Sequence, residues 1–380
     1  MTLRSLARAA LAAALLPVPA AAQRLWKNTL YPYAYYSAVD GVWGAGHFSL
    51  YSPIGFVERP EANQASFAFD AAASTGGSYS LIADLEAPAY VDGWRLAVTV
   101  GAVRENRLGY YGVGNDAPYV KDSVTAGHPY FYRVSRSHQS ARITLQRRVI
   151  GPLRLLAGGE IRKTDFRALP GGTQFGRDLA SGAVDSTAVP FSDAVARGGL
   201  VLDTRDNELD PHSGVFVEGL YASGKGYTRT TASARAYLHP FEKLILAARL
   251  GGEKMGGSPP VAAEFTMESS EQPVVALGGY HTLRGYYDAR FLGPGKLVAG
   301  AEARYALIFA PTLFELHLVA FYDAGRVFGP GESVRLTTSG LHSSGGAEIA
   351  ARILRNAVLA AGVGAGSDGA LFLFGTSWSY

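Results

Sequence analysis

Strict alternation of apolar and charged side chains constrains this chain more than any other feature of its sequence. From Leu297 to Leu307 every second residue is apolar, and the residues between them include Glu302 and Arg304. The segment from Phe314 to Tyr322 repeats the pattern, with Glu315 on its second face. Because successive side chains of a strand point to opposite faces, both segments are predicted to be strands with one apolar and one charged face.

Two architectures bury such a face. In a soluble sandwich the apolar face forms the core, whereas in a membrane barrel it contacts lipid and the charged face lines the lumen. The 380 residues suit one large all-β domain or two smaller ones, and no run of about 20 apolar residues follows the N-terminal segment. A helical membrane protein is therefore not expected.

The N-terminal segment has the pattern of a secretory signal. Arg4 and Arg8 precede the apolar run Ala9–Leu16, and small residues end the segment at Ala22. The sequence thus predicts a signal peptide over 1–22 and a single barrel domain over 23–380. Without those two arginines, Lys+Arg falls from 35 to 33 against 32 Asp+Glu, so the mature charge of +1 gives no support to nucleic-acid binding.

The pattern of strands and turns favours the membrane barrel. A first hairpin is predicted around Asp40-Gly41, a good two-residue turn, and about 16 strands follow in all. The region Ala168–Pro190 reads as a long loop, while other connections are short, as in an outer-membrane barrel. Cysteine is absent, so a secreted chain of this kind needs another means of holding its fold, and a closed strand ladder provides one.

The last predicted strand, Ala370–Tyr380, places aromatic residues on one face. Phe374, Trp378 and Tyr380 share that face, and the sequence ends on the last of them. This resembles the C-terminal signal by which outer-membrane barrels are recognised for insertion. The alternative is an ordinary edge strand.

Three motifs together carry a family resemblance. They are Leu202-Asp203-Thr204-Arg205-Asp206-Asn207 followed by Pro211 and Gly214, Leu283-Arg284-Gly285-Tyr286, and Phe321-Tyr322-Asp323-Ala324-Gly325. The combination resembles the bacterial surface-antigen barrels of the BamA/TamA family, whose superfamily includes the two-partner secretion transporters. The first motif matches the family's periplasmic turn, and the other two match its sixth extracellular loop and the wall that the loop contacts.

The resemblance implies an all-β, transmembrane antiparallel barrel of about 16 strands in the outer membrane, with loop 6 folded into the lumen. It further implies that Arg284, at the loop tip with Gly285 and Tyr286, contacts acids matching Glu302 and Asp323, the latter just before Gly325. A guanidinium offers a planar fork of donors that suits carboxylates. The alternative is a solvated Arg284 and acids that merely line a wet pore.

The function implied is insertion or translocation of proteins or lipids through a lateral seam between the first and last strands. Gly364, Gly366, Gly369 and Gly375 are compatible with a weakened seam, although they also read as turn residues. Expected partners are outer-membrane lipids and unfolded outer-membrane or secreted proteins. The family usually carries POTRA modules before its barrel, and the first predicted strand follows the signal too closely for one. We therefore also expect a separate periplasmic partner.

Two other functions remain open from the sequence. The first is a passive pore or structural barrel without client-inserting activity. The second, an outer-membrane enzyme, is disfavoured because the histidines show no metal-ligand spacing and no Gly-x-Ser-x-Gly motif stands at a strand-to-helix turn. The sequence accordingly predicts no catalytic residues, no metal and no cofactor.

Overall fold

The computed structural model describes residues 26–37, 39–54, 60–310, 313–353 and 357–380. The expected signal peptide, residues 1–22, lies outside this part of the chain. Sixteen strands form one antiparallel sheet, and two further short strands form a separate hairpin. The predicted number of barrel strands is confirmed.

The strands of the large sheet follow one another in chain order, except that β11 pairs with β14 because the short hairpin intervenes. Their bounds are β1 Lys27–Ser37, β2 Gly41–Pro53, β3 Asn63–Ser74, β4 Tyr79–Val91, β5 Trp94–Gly109, β6 Arg133–Ile150, β7 Leu153–Ala168, β8 Phe191–Asp203, β9 Gly214–Gly224, β10 Tyr227–Phe241, β11 Leu244–Gly257, β14 Gly295–Ala310, β15 Phe314–Phe328, β16 His342–Ile353, β17 Ala357–Gly366 and β18 Gly369–Gly375. The short hairpin consists of β12 Thr266–Met267 and β13 Val274–Val275.

The alternation of the sequence places apolar residues outside and charged residues inside. Tyr305 and Leu307 of β14 are 48% and 49% exposed, whereas Glu302 and Arg304 of the same strand are 5% and 0% exposed. This is the inverted pattern expected of a membrane barrel. In the described ranges no helix is long and apolar enough to cross a membrane.

The sheet curls so that distant strands share one interior. Arg142 of β6 and Arg197 of β8 both donate to Glu268, which lies in the connection between β11 and β14. β1 pairs only with β2 and β18 only with β17 among the described residues, which show no hydrogen-bonded ladder between β1 and β18. The sheet therefore keeps two edges that face no paired strand.

The two ends of the barrel differ in their connections. At one end the segments 110–132, 169–190 and 258–294 are long and pack together, and Tyr110 and Phe175 join Phe265 in their common core. At the other end several turns have only two residues, such as 92–93, 151–152 and 242–243. Outer-membrane barrels have long extracellular loops and short periplasmic turns, which identifies the long-looped end as extracellular.

Two local features differ from the sequence-based expectations. The expected loop Ala168–Pro190 contains a helix, α1 Gln174–Ser181, where Thr173 accepts a hydrogen bond from the Gly176 amide and Gly182 ends the helix with φ of 79°. The last strand ends at Gly375 rather than Tyr380. Phe374 is 63% exposed on the outer face, but Trp378 and Tyr380 are only 6% and 8% exposed. The expectation that the three share one face of the last strand is wrong, because the chain turns into the lumen after Gly375.

Candidate functional site in the lumen

The connection 258–294 between β11 and β14, called here the inner loop, contributes most of the site. It contains α2 Val261–Glu264 and the short β12–β13 hairpin. Its tip turns at Gly278 and Gly279, which have φ of 115° and 89°. A side chain at Gly278 would place its Cβ 2.1 Å from the Tyr287 main-chain oxygen, so the turn requires glycine for both conformation and space.

Arg284 at the tip of the inner loop lies against the barrel wall and is fully buried. Its Nε and Nη2 donate to the two carboxylate oxygens of Asp323 at 2.8 and 3.0 Å, and its Nη1 donates to Glu302 Oε1 at 2.6 Å. Its guanidinium carbon also lies 3.7 Å from the centre of the Phe321 ring. The structure thus brings together the three charged residues that the resemblance implied.

Two further arginines and a third acid belong to this charged cluster, and that acid is Glu348, whose Oε2 lies 3.9 Å from Arg284 Nη1. Arg304 Nε donates to Glu302 Oε2 at 2.8 Å, and Arg249 Nη2 donates to Asp323 Oδ1 at 3.2 Å. Burial acts to lower the pKa of Arg284, but Glu302 and Asp323 outweigh it and hold that pKa above its ordinary value. Glu302 and Asp323 are therefore each shared between two guanidinium groups, which offsets the cost of burying charge.

Small residues of the wall let the tip of the inner loop approach closely. A Cβ on Gly364 of β17 would lie 2.6 Å from the Arg284 main-chain oxygen, and one on Gly366 would lie 2.7 Å from the Tyr286 ring. The loop's own Gly285 would place a Cβ 2.5 Å from the Ala365 main-chain carbon. Gly364 and Gly366 thus provide space for the loop, a role that sequence reasoning missed when it read them as seam or turn residues.

Tyr286 and Gly325, which the resemblance groups with Arg284 and its acids, also lie at this contact. Tyr286 donates its hydroxyl hydrogen to the Ser343 main-chain oxygen at 3.2 Å. Gly325 lies on β15, where a Cβ would be 2.7 Å from the Leu297 main-chain oxygen and 3.3 Å from Leu277 of the loop. The tip is consequently held by charge, by one tyrosine hydroxyl and by close packing.

The last residues of the chain, 376–380, called here the tail, occupy the lumen beside the inner loop. Tyr280 donates its hydroxyl hydrogen to the Ser377 main-chain oxygen at 3.0 Å, and Ser379 Oγ donates to the Tyr280 main-chain oxygen at 2.9 Å. The guanidinium of Arg304 lies over the Trp378 ring at 4.2 Å, and that of Arg249 lies over the Tyr380 ring at 4.4 Å. The aromatic rings are buried against lumenal cations instead of facing outward.

The predicted turn motif closes β8–β9 at the periplasmic end. Asp206 Oδ1 accepts hydrogen bonds from the amides of Asn207, His212 and Ser213. Pro211 is buried within the turn. Gly214 has φ of 104°, and a Cβ there would lie 2.2 Å from the Thr204 main-chain oxygen. These contacts fix a compact turn at the mouth of the lumen.

The same turn reaches both the inner loop and the tail. Arg205 binds Asp203 through Nε and Nη2, each at 3.0 Å, and its Nη2 also donates to Glu271 of the inner loop at 2.7 Å. Asp210 accepts a hydrogen bond from Trp378 Nε1 at 2.7 Å. The turn motif, the inner loop and the tail are therefore in direct contact with one another.

Sequence reasoning missed the acids of the inner loop. Glu268 binds Arg142 and Arg197, and Glu271 binds Arg205 as well as Arg235. Burial acts to raise the pKa of Glu271, but Arg235 and Arg205 outweigh it and lower that pKa to about 2. The alternation of the strands predicts that Arg142, Arg197 and Arg235 point inward. The irregular inner loop has no such periodicity, so its sequence does not indicate which of its acids bind these arginines.

One acid of the inner loop differs from these. The Oε2 atom of Glu264 has no hydrogen-bond partner among the described residues. Burial raises the pKa of this carboxyl to about 7, and the Lys296 ammonium offsets only part of that effect. No group of His, Asp and Glu able to hold a metal ion occurs in the described part of the chain.

A family model describing the Omp85 superfamily domain matches residues 67–367. The chain belongs to the Omp85 superfamily. Superfamily membership and the all-β architecture locate it in the outer membrane of Gram-negative bacteria. The resemblance drawn from the three sequence motifs is confirmed.

Two solved structures are similar in fold to this Omp85 member. BamA from Haemophilus ducreyi lacking POTRA domains 1-3 has 12% identity and a TM-score of 0.56, covering 93% of this chain and 69% of BamA. CdiB from Escherichia coli has 9% identity and a TM-score of 0.57, covering 93% of this chain and 60% of CdiB. The chain thus spans only part of each relative. No curated protein matches its sequence.

Proposed function

We propose that this barrel assists the insertion or translocation of client proteins at the outer membrane through a seam between β1 and β18. The observation that carries the proposal is the absence of a ladder between these two strands among the described residues. An unpaired strand edge presents free N–H and C=O groups, which can template an incoming strand of a client.

The lengths of the edge strands support a weak seam. β1 has 11 residues, whereas β18 has 7 and is followed by the tail that enters the lumen. A strand of 7 residues cannot pair with all of β1, even at the best register. Part of β1 is therefore available to another strand.

The filled lumen favours a lateral route over an axial one. The inner loop and the tail occupy its interior, and Arg284 holds the loop to the wall. We propose that the loop is a plug, with Arg284, Gly285 and Tyr286 as its lock on the wall residues Glu302, Asp323 and Gly325. The partners are then outer-membrane lipids, unfolded outer-membrane or secreted proteins, and a separate periplasmic subunit; no catalytic step is involved.

The test is the folding rate of a urea-unfolded small outer-membrane barrel into liposomes that contain the mature protein. Acceleration over empty liposomes is the expected result. The sequence has no cysteine, so Leu373→Cys on β18 can be combined in turn with Tyr31→Cys, Tyr33→Cys or Tyr35→Cys on β1. The pair that oxidises should abolish acceleration, and a reductant should restore it.

No acceleration by the folded protein, with and without periplasmic extract, would refute the insertion function. Acceleration that persists in the oxidised pair would refute the seam while leaving insertion intact. The single-cysteine parents serve as matched controls, because each carries one of the substitutions but cannot form the cross-link.

The alternative function is a passive pore or structural barrel, and one observation favours it. Tyr31, Tyr33 and Tyr35 share the lumenal face of β1 with His47 across the ladder, yet remain 42% to 49% exposed. Part of the lumen near β1 is thus accessible to water. Steady conductance in planar bilayers, without any effect on client folding, would support this alternative.

A further inference from the structure

A polar groove of about 280 Å³ lies at the extracellular ends of β5, β6 and β7. Its polar lining consists of Arg104, Asn106, Ser135, Ser137, Asp165 and Arg167. None of these residues belongs to the lock, the turn motif or the seam. The groove is therefore independent of the site described above.

The groove opens on the outer face of the barrel. Arg104, Ser137 and Asp165 are successive cross-strand partners, so their side chains share one face. The residues next to them in the strands point inward. Phe166, which follows Asp165, is buried in the core of the long loops, and Arg136, which precedes Ser137, lies over the Phe265 ring. The groove residues consequently point toward the surrounding membrane rather than the lumen.

The height of the groove is set by the apolar band below it. Between Trp94 and Arg104 the outward residues of β5 are Leu96, Val98, Val100 and Ala102, all apolar. Ten residues of strand span about 33 Å, and a tilt of about 40° reduces this to about 25 Å, the height of the lipid-facing band of outer-membrane barrels. Arg104 therefore lies at the level of the outer-leaflet headgroups.

The charge of the groove is positive and only partly neutralised. Arg104 lies over the Tyr79 ring at 5.9 Å and forms no ion pair with any described residue. Arg167 is 72% exposed and donates to Asp165 at 3.2 Å, the one acid of the groove. Lys163 is exposed on the same face one step below. Asn106 already donates one amide hydrogen to the Gly76 main-chain oxygen at 2.8 Å and accepts from Ser135 Oγ at 3.2 Å. The two guanidinium groups, the Ser137 hydroxyl and the second amide hydrogen of Asn106 suit a phosphate bearing neighbouring hydroxyl groups.

We propose that this groove binds the phosphorylated headgroup of an outer-leaflet glycolipid of the lipid A class. The occupant is a lipid because the groove opens sideways at the rim of the apolar band, where acyl chains can contact Val100 and Ala102 below it. A glycolipid is favoured over a simple phospholipid because the Ser137 hydroxyl and the second amide hydrogen of Asn106 can bond sugar hydroxyls. The inference rests on the outer-membrane location and not on client insertion.

The test is native mass spectrometry of the full protein in detergent with bisphosphorylated lipid A, monophosphorylated lipid A and phosphatidylglycerol. Bisphosphorylated lipid A should be retained best. Arg104→Gln combined with Arg167→Gln should weaken its retention by about fivefold to tenfold, since two partly exposed charge-assisted contacts are lost. Asp165→Asn should strengthen retention by about twofold, because it frees Arg167 from its carboxylate.

The matched control is Arg147→Gln. Arg147 also lies on the outer face over an aromatic ring, with its guanidinium 5.0 Å from the centre of Trp94, but at the periplasmic rim of the same β5–β6 pair. It should retain lipid A like the wild type. Unchanged binding in the double variant, an equal loss in the control, or equal retention of phosphatidylglycerol would overturn the proposal. The gain expected from Asp165→Asn cannot arise from misfolding.

Discussion

Replacing Arg284 with alanine is the sharpest perturbation of the proposed plug. Removing one member of a buried ion pair typically costs about 3 to 5 kcal/mol, because its partner is left buried and unpaired. Here Glu302 keeps Arg304 at 2.8 Å and Asp323 keeps Arg249 at 3.2 Å. Glu302 and Asp323 each keep one arginine partner, and Glu348 loses only a contact of 3.9 Å. We therefore expect the docked state of the inner loop to lose about 3 kcal/mol, near the lower limit.

This loss predicts a measurable change in the lumen. A change of about 1.4 kcal/mol corresponds to a factor of ten, so about 3 kcal/mol shifts the ratio of docked to undocked loop by about a hundredfold. In planar bilayers the Arg284→Ala protein should show a larger or noisier single-channel conductance than the wild type. Arg284→Lys should give an intermediate result, since one ammonium cannot replace the two-pronged contact with Asp323.

The control for this experiment is Arg148→Ala. Arg148 also pairs with an aspartate, Asp92, but both side chains are at least half exposed at a periplasmic turn. Exposed pairs of this kind contribute about 0 to 1 kcal/mol, so the conductance should not change. If Arg284→Ala retains heat-modifiable migration on gels and its conductance equals that of the wild type, the ionic lock does not hold the plug.

Three further predictions test other contacts of the lumen. Trp378→Phe removes the hydrogen bond to the aspartate of the β8–β9 turn and should destabilise the fold by about 1.5 to 3 kcal/mol, measured as a lower urea midpoint. Gly364→Val should raise conductance as Arg284→Ala does, because its side chain would collide with the loop, whereas Gly44→Val meets open space and should not. Burial raises the pKa of Glu264 to about 7, so stability should fall from about pH 4 to pH 7 by up to about 1.4 kcal/mol per unit. Glu264→Gln should make the measured fall of thermal stability with pH less steep, and an unchanged slope would contradict the assignment.

The wall of the barrel could be predicted from the sequence because lipid and lumen impose one rule on every strand. Outward positions within the lipid-facing band are mostly apolar, so a period of two is visible even where the two faces are not known in advance. Glu302 and Arg304 alternate with apolar residues such as Tyr305, so the sequence already predicted that the two charges share one face of the strand. Only the direction of that face required the inverted-barrel argument.

The site was predictable only in part. The motif resemblance selected Arg284, Glu302 and Asp323, which the structure places within hydrogen-bond distance. It did not select Arg249, since the alternation marks every inward residue of a strand equally and does not say which two will meet across the lumen. Partners of this kind depend on how far the sheet curls, and no local pattern encodes that curvature.

The tail was mispredicted because its sequence continues a strand pattern that the structure abandons. Aromatic residues from Phe372 to Tyr380 keep the period of two, which favours a lipid-facing strand. A lumen rich in arginine is also a favourable environment for aromatic rings, and Arg304 and Arg249 cover two of them. Local pattern could not distinguish these two environments. Whether the aromatic residues also act as an insertion signal stays a prediction.

Within the lumen, the inner loop, the β8–β9 turn and the tail each contact the other two, and these contacts link the plug to the seam. The inner loop binds the turn through Glu271 and Arg205, the turn binds the tail through Asp210 and Trp378, and the tail binds the loop through Ser377 and Tyr280. Displacing any one segment removes contacts from the other two, so variants at two of these points should not be additive. Because the tail continues directly from β18, opening the seam at that strand is expected to loosen the plug. The two parts of the proposed mechanism would then be one movement.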